Sequence, residues 1–559
     1  MSEYSWSRRR FMGAGAMALV GAALDTRPMR AWTITLPTTP AARRFAPRMF
    51  LPDAPSEETL RRLAVAAIDA ARAAGAEVAD IRVGVQRMIS VPPIPFNPGA
   101  SLTVGYGVRA RVGGVWGFQH GSVLTVDAVT AAAKSAVEGA SRYTTVNARL
   151  GQSSVVALAP TPVVTGEWST PMSIDPFSVP VDDYYRVIGT LRETTSTAFR
   201  NHGGGCLGLG WNAETRVFAS TDGSLILQRR MTGGSGISGS ATLPENQQDA
   251  VPVDLPGFEL QSGGFELALR NDRVDYLLTG MDEAIRLREL PRRPFQDVGR
   301  FPIVFDGAAF GNIFGATASQ AADAERAAGI EADASGTTFL VPPADVLAAP
   351  VPQFSPLLTA SVDWALPSPA AVRWDDEGVA PEPYTLVERG HVADYHTTRE
   401  TAPLLAEWYA KRGRPLRAHG CAVAPTPASL PMSGGGHLRV APATSRASVY
   451  DLARDIAHGF IVVGGDVRVE PGLTLSTLAP DHVIEIQRGV PVSRTFVTLQ
   501  LSTKELLKNK IIALGDARSQ RTSSVVTEKG IPWEAIRQPV TAPAALCKDV
   551  DVVSWMYRP

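Results

Sequence analysis

Two strand-like runs, Thr103–Arg111 and Val115–His120, are split by Gly113-Gly114. A two-glycine junction between such runs predicts a β-hairpin, because both turn residues must take a left-handed backbone that glycine adopts without strain. An antiparallel sheet therefore stands early in the fold, and the flanking residues extend it. Ser56-Glu57-Glu58 predicts a helix start, with serine as N-cap and acids in the first turn. Leu60, Leu63, Ala64, Ala67, Ile68 and Ala71 follow at i, i+3, i+4 spacing, and Gly75 predicts the stop. Val78–Val85 alternates as a strand, and Ala128–Ala140 reads as a second helix. Helix, strand, hairpin and helix over 56–145 make an α+β unit on an antiparallel sheet.

The remainder is richer in turns: 50 Gly and 43 Pro fall among 559 residues. Residues 146–295 hold a predicted helix at 182–198, strands at 217–220 and 223–230, a loop or hairpin in the Gly/Ser stretch 233–240, and a helix at 273–289. From 296 to 559, strand-like runs alternate with Pro and Gly turns, with helices expected near 307–328, 402–412, 445–459 and 503–509. The expected fold class is α+β, with an N-terminal α+β region (56–295) followed by a larger β-rich C-terminal domain (296–559). An apolar content of 45% excludes a disordered chain. Basic and acidic residues, 54 and 55, cancel to −1, so no global field recruits nucleic acid. Cys206, Cys421 and Cys547 are too few for a disulfide framework.

The first residues predict an address. Ser7-Arg8-Arg9-Arg10-Phe11-Met12 precedes Gly13–Leu24, a mildly apolar stretch of small residues. This layout predicts a twin-arginine signal peptide over 1–31, cleaved between Ala23 and Ala31, then a linker over 32–55. The mature chain is thereby expected in the periplasm. No later stretch is apolar enough for a membrane span.

Several residue groups invite a site and carry little. His419-Gly420-Cys421 suggests a nucleophile pair or two metal ligands, yet so short a pair specifies neither and no third ligand sits nearby in sequence. His391 and His396 flank a predicted strand on opposite faces. Asp375-Asp376-Glu377-Gly378 reads as a turn in which an aspartate bonds its own backbone. Gly203–Gly208 satisfies G-x-G-x-x-G but opens no βαβ unit, so no dinucleotide is expected.

Five segments, in order, carry a resemblance. They are Ala70–Val83; Gly105–Phe118 with its Trp116-Gly117-Phe118 ending; Trp374–Gly378 with Leu386–Gly390; Pro431-Met432-Ser433, Leu438–Val440 and Asp451–Gly459; and Val483–Pro491. Together they resemble the TldD/PmbA family of metallopeptidases and their partners, over roughly residues 60–530. The resemblance implies a TldD/PmbA-like α+β fold and, in active members, His-Glu-x-x-x-His on a helix plus a late cysteine. Imidazoles and thiolate there hold zinc, and the glutamate takes a proton from the metal-bound water.

This chain departs from that pattern. Within Gly311–Arg326, Gly315 and Ala316 stand where His-Glu would be, and Gln320 stands for the second histidine. None of the 8 histidines is followed by glutamate, and Thr522–Gly530 holds no cysteine. The resemblance therefore implies no catalytic residue, no metal ligand and no cofactor in this chain. It is similar to the PmbA (TldE) side of the family, which implies a zinc-bearing TldD-like partner, or a homodimer, around a chamber where peptides are cut. A hydrolase active by itself and a non-enzymatic envelope binding protein are the alternatives.

Overall fold

The structure, a computed structural model, describes residues 51–552 apart from 52, 93–98, 150–156, 199–202, 244–245, 255–260, 271–279, 281, 294–298, 331–336, 471, 496–497 and 531–532. The expected signal peptide and most of the linker lie outside the described residues.

Helix α1 (Glu57–Ala73) starts on Ser56, whose side chain accepts from Thr59 N, and it buries the predicted stripe from Leu60 to Ala71. β1 (Val78–Val91) pairs antiparallel with β2 (Gly99–Val112), which turns into β3 (Val115–Gly121). Gly113 and Gly114 have φ of +57° and +80°, the left-handed pair that the turn requires. Helix α2 (Val126–Arg149) covers the same face as α1, so Ala79, Ile81, Val83 and Val85 of β1 pack with both helices. Helix α3 (Val181–Ala198) leads to β4 (Gly203–Ser220) and β5 (Leu225–Leu243). The sheet runs β3-β2-β1-β4-β5, and Thr165–Ser169 is added at the β5 edge.

The Gly/Ser stretch 233–240 is not a loop. It continues β5, paired with β4 along its whole length, and on the other side with Gln261 at Gly233 and with Asn246–Asp254 from Ser238 onward. Glycine is a poor strand former alone, but the continuous β4 ladder, with further pairing at both ends of the stretch, satisfies backbone groups and overrides that preference. The helix expected over 445–459 is likewise cut to Val449–Ala453, closed at its start by a Ser448–Asp451 capping box. His458–Val463 becomes an interior strand instead, because Phe460, Ile461 and Val462 are buried in the sheet.

Two further six-stranded sheets follow. In one, β6 (Ala360–Asp363), β7 (Tyr384–Glu388), β8 (His391–Val392), β9 (His437–Val440), β10 (Arg521–Lys529) and β11 (Glu534–Ala542) lie in the order β8-β7-β6-β9-β11-β10. In the other, Gly299–Phe305 lies between His458–Val463 and Ala545–Val552. Helix α4 (Gly307–Phe314) is buried at every residue but Asn312, and one hydrophobic cluster joins it to Phe305 of one sheet and Val525 and Val540 of the other. A helix apolar all round belongs inside a core.

β1 carries buried charge on its second face. Asp80 and Arg82 are 5% and 0% exposed. Arg109 of β2 donates to Asp80 Oδ2 (2.7 Å) and Glu377 Oε1 (3.0 Å), while Arg216 of β4 pairs with Glu214 and Asp376. The turn that supplies Asp376 and Glu377 is the one read from sequence: Asp375 Oδ1 accepts from Glu377 N and Val379 N, and Gly378 has φ of +79°. Ion pairs thus dock the first sheet on the C-terminal half of the chain.

Candidate functional site

The site forms where α4 meets β10 and β11. Asp306 caps α4, with Oδ1 accepting from Ala309 N (2.8 Å) and Gly464 N (3.0 Å). Gly307, Gly311 and Gly315 share one helix face, which lets the helix sit hard against the strands. A Cβ at Gly315 would lie 2.7 Å from Val540 Cγ2 and 2.9 Å from Val525 Cγ2. Beyond Phe314 the helix widens into a π turn, Gly315–Ser319. Thr317 Oγ1 donates to Ile313 O and Gln320 Nε2 to Ala316 O, both at 2.6 Å, so side chains help to serve carbonyls of the widened turn.

The π turn delivers Ser319, Gln320 and Asp323 to a cavity closed by His396, Ser433–Gly435 and the strand residues Thr527, Lys529 and Gln538. The space between them is about that of one water molecule. Lys529 is 3% exposed, and its ammonium donates to Asp323 Oδ2 and to Ser433 O at 2.7 Å. Ser433 Oγ donates to Asp323 Oδ1 (3.0 Å). Burial opposes the charged amine, but Asp323 and then Glu325 outweigh it and raise the Lys529 pKa. The lysine is therefore charged at neutral pH.

His396 has the opposite character. Burial first, with Lys529 adding to it against the pull of Asp323, lowers its pKa to about 4. Ser319 Oγ gives its proton to Gln538 Oε1 (2.8 Å), so His396 donates from Nε2 to Ser319 (2.8 Å) and accepts at Nδ1 from Tyr384. A serine nucleophile needs the reverse order, with the imidazole taking the serine proton. His437 and His482 are also held low by burial, at about 3 and about 4. Unfolded histidines take up protons below about pH 6.5, whereas these three stay neutral until lower pH. Their contribution to stability is therefore complete above about pH 6.5 and is lost as pH falls from there towards about 4. Urea midpoints across that range should drop with falling pH; a flat profile would refute the three buried neutral imidazoles.

Of the degenerate motif positions, Gln320 lines the cavity. Gly315 is pressed against Val525 and Val540, and Ala316 is 3% exposed within the core. Strand β10 supplies Thr527 and Lys529 opposite Gln320. His391 and His396 do not share a strand as expected: β8 ends at Val392, and His396 lies beyond it, buried, while His391 is exposed. His419 and Cys421 do not touch each other's side chains but share Tyr384, whose ring stacks on His419 (4.1 Å) and whose hydroxyl lies 3.5 Å from Cys421 Sγ, and both backbone amides donate to Thr397. Burial pushes the Cys421 thiol up to about 12, so it is no nucleophile at neutral pH. Sequence reasoning gave Asp323, Lys529 and Ser433 no role in a site.

A catalytic zinc needs about three protein ligands and an open position. Here both oxygens of Asp323 and both nitrogens of His396 are already engaged, and an ammonium rests on the carboxylate. Among the described residues, no three His, Cys, Asp or Glu side chains gather as a metal set. The donor set does not fit catalytic zinc.

A family model described as the PmbA/TldA metallopeptidase C-terminal domain matches residues 298–554. TldE from Thermococcus kodakarensis shares the fold at 15% identity and a TM-score of 0.60, covering 87% of this chain and 99% of that one. Two proteins described as candidate modulators of DNA gyrase, from Bacteroides thetaiotaomicron and Thermotoga maritima, share it at 14% identity with TM-scores of 0.59 and 0.60; each match covers 89% of this chain and all of the other. A search of curated proteins returns no match. Fold and family model together define a protein of the metallopeptidase-related class. Residues 298–554 carry the C-terminal domain of the TldD/PmbA family. Among the described residues, no helix is long and apolar enough to cross a membrane.

Proposed function

We propose that this chain is an exported, zinc-free subunit of a TldD/PmbA-type peptidase, acting on peptides together with a zinc-bearing TldD-like partner. One observation carries the reading. The helix expected to bear His-Glu-x-x-x-His has Gly315 wedged between two valines, and a Lys529–Asp323 ion pair fills the space beside Gln320. Likeness to a protein named TldE supports the same side of the family. The Arg8-Arg9 leader supports export already folded, which suits a complex assembled before transport. The chain would supply chamber wall and peptide contacts, and strand addition is a fitting way to hold an extended peptide.

The test is co-production with a relative that carries His-Glu-x-x-x-His. The two should co-purify, zinc should follow the relative, and cleavage of an unstructured peptide should require both. A chain that stays monomeric beside its relative, or that alone holds stoichiometric zinc, would sink the reading.

A further inference from the structure

The mismatch between this cavity and a metal site has a specific cause. The Lys529 ammonium has three oxygen neighbours: Asp323 Oδ2, the Ser433 carbonyl at 2.7 Å and Glu325 Oε1 at 3.9 Å. Asp323 and Glu325 are 2% and 7% exposed, so the anionic wall is buried rather than solvated. Gln320 lines the same cavity, and its Oε1 is a buried acceptor without a hydrogen-bond partner. The walls around the ammonium thus offer oxygen acceptors, and Arg326, whose Nε lies 3.7 Å from Asp323 Oδ2, stays behind them as a more distant second cation. Oxygen donors of this kind, two of them anionic, are what a hard divalent cation takes, with waters completing its shell.

We propose that the Lys529 ammonium is the resident cation of this site: it excludes divalent metal from the native chain, and once it is removed Asp323, Glu325 and the Ser433 carbonyl accept a divalent cation in its place. This rests on the reading of the chain as the zinc-free member of its family and supplies the physical reason for it. An ion pair serving stability alone predicts that losing Lys529 is simply harmful. A resident cation predicts that a metal ion repairs the loss. Coulomb attraction at the buried carboxylates does not depend on whether the positive charge is covalently attached. The lysine stem occupies the space that metal and waters need, so only a variant that removes both stem and charge opens the site.

Charge rescue tests this on the full mature chain. Lys529→Ala should melt lower than the native chain, and added Mn2+ should raise its melting temperature saturably, with about one tightly bound Mn2+ per chain in the electron paramagnetic resonance spectrum. The native chain should show neither effect. Lys529→Met, which keeps the stem, should not be rescued, and Asp323→Asn added to Lys529→Ala should abolish rescue. If Lys529→Ala does not fold in metal-free buffer, its recovery on refolding with Mn2+ replaces the melting measurement. The proposal is overturned if Mn2+ changes neither melting nor recovery of Lys529→Ala, or if the native chain binds Mn2+ equally. Failure of co-purification with a zinc-bearing relative would remove the functional reading and leave this result standing.

Discussion

Asp323→Asn should destabilise the protein by about 3–5 kcal/mol in urea unfolding, out of scale with a one-atom change. Asparagine can still accept from Ser433 Oγ, which reaches Asp323 Oδ1 at 3.0 Å. What it cannot do is balance the Lys529 ammonium, which is buried with Asp323 at hydrogen-bond contact. Glu325 at 3.9 Å is a more distant counter-charge, and Arg326, 3.7 Å from Asp323, then adds repulsion. A desolvated cation without its nearest partner is among the costliest defects a core can carry. Adding Lys529→Met should recover a large part of the loss, since a buried pair replaced on both sides no longer leaves an uncompensated charge. The cycle of both single variants and the double should therefore show coupling towards the upper end of about 0.5–3 kcal/mol. Additive losses would mean that the two side chains do not depend on each other, and the ion pair would lose its place at the centre of the site. Burial lowers and the carboxylates raise the Lys529 pKa, with the net direction upward. Its contribution is thus complete below about pH 10 and fades only as pH rises beyond the folded value.

The parts of this fold that were legible in the sequence are those fixed by contacts along the chain. The α1 stripe from Leu60 to Ala71, the Ser56 cap, the Gly113-Gly114 turn and the Asp375 turn each follow from residues within a few positions of one another. The ends of β4 and β5 nearest their turn, 217–220 and 225–230, were legible, but their glycine-rich remainders were not, because glycine and serine carry no strand signal; pairing partners decide them. His458–Val463 had helical company in sequence and became a strand because a sheet was there to receive Phe460, Ile461 and Val462.

The site divides in the same way. The resemblance placed Gly315, Ala316 and Gln320 on a helix, and the structure puts Gln320 at the cavity. Lys529 lay unread although β10 held a signal. Ser523, Val525, Thr527 and Lys529 share one parity of the strand, and that parity is buried. A lysine in the buried phase of an alternating strand requires an anion across from it, and Asp323 and Glu325, just past the motif helix, are the anions it meets. Alternation says that a partner must exist; only the three-dimensional approach of α4 to β10 says which one. His396 gave no such hint, because its burial arises in a loop where no periodicity applies.

Arg109→Met is the second change from which a large effect is expected, about 3–5 kcal/mol at neutral pH. The guanidinium holds Asp80 through Nε (3.1 Å) and Nη2 (2.7 Å), reaches Glu377 Oε1 at 3.0 Å and lies over the Trp116 ring at 4.7 Å. One side chain thereby ties β1, β2 and the Trp374–Gly378 turn together, and methionine keeps its bulk without its charge. Arg82 still contacts Asp80 Oδ1 at 2.6 Å and the Arg399 amide still reaches Glu377 Oε2 at 2.7 Å, so the variant should fold and remain measurable. Acid gives an independent reading. Burial by itself would raise the Asp80 pKa, but Arg109 and Arg82 reverse it and hold the group below its ordinary value. A carboxyl lowered on folding contributes stability that is complete above about pH 4 and is lost as pH falls through the folded value. The gap between native chain and Arg109→Met, followed by urea unfolding, should therefore narrow below about pH 4. A neutral-pH gap under about 1 kcal/mol, or one that keeps its size into acid, would mean that the two halves of the chain are docked by apolar contact and not by this buried charge, because apolar burial carries no such dependence on protonation.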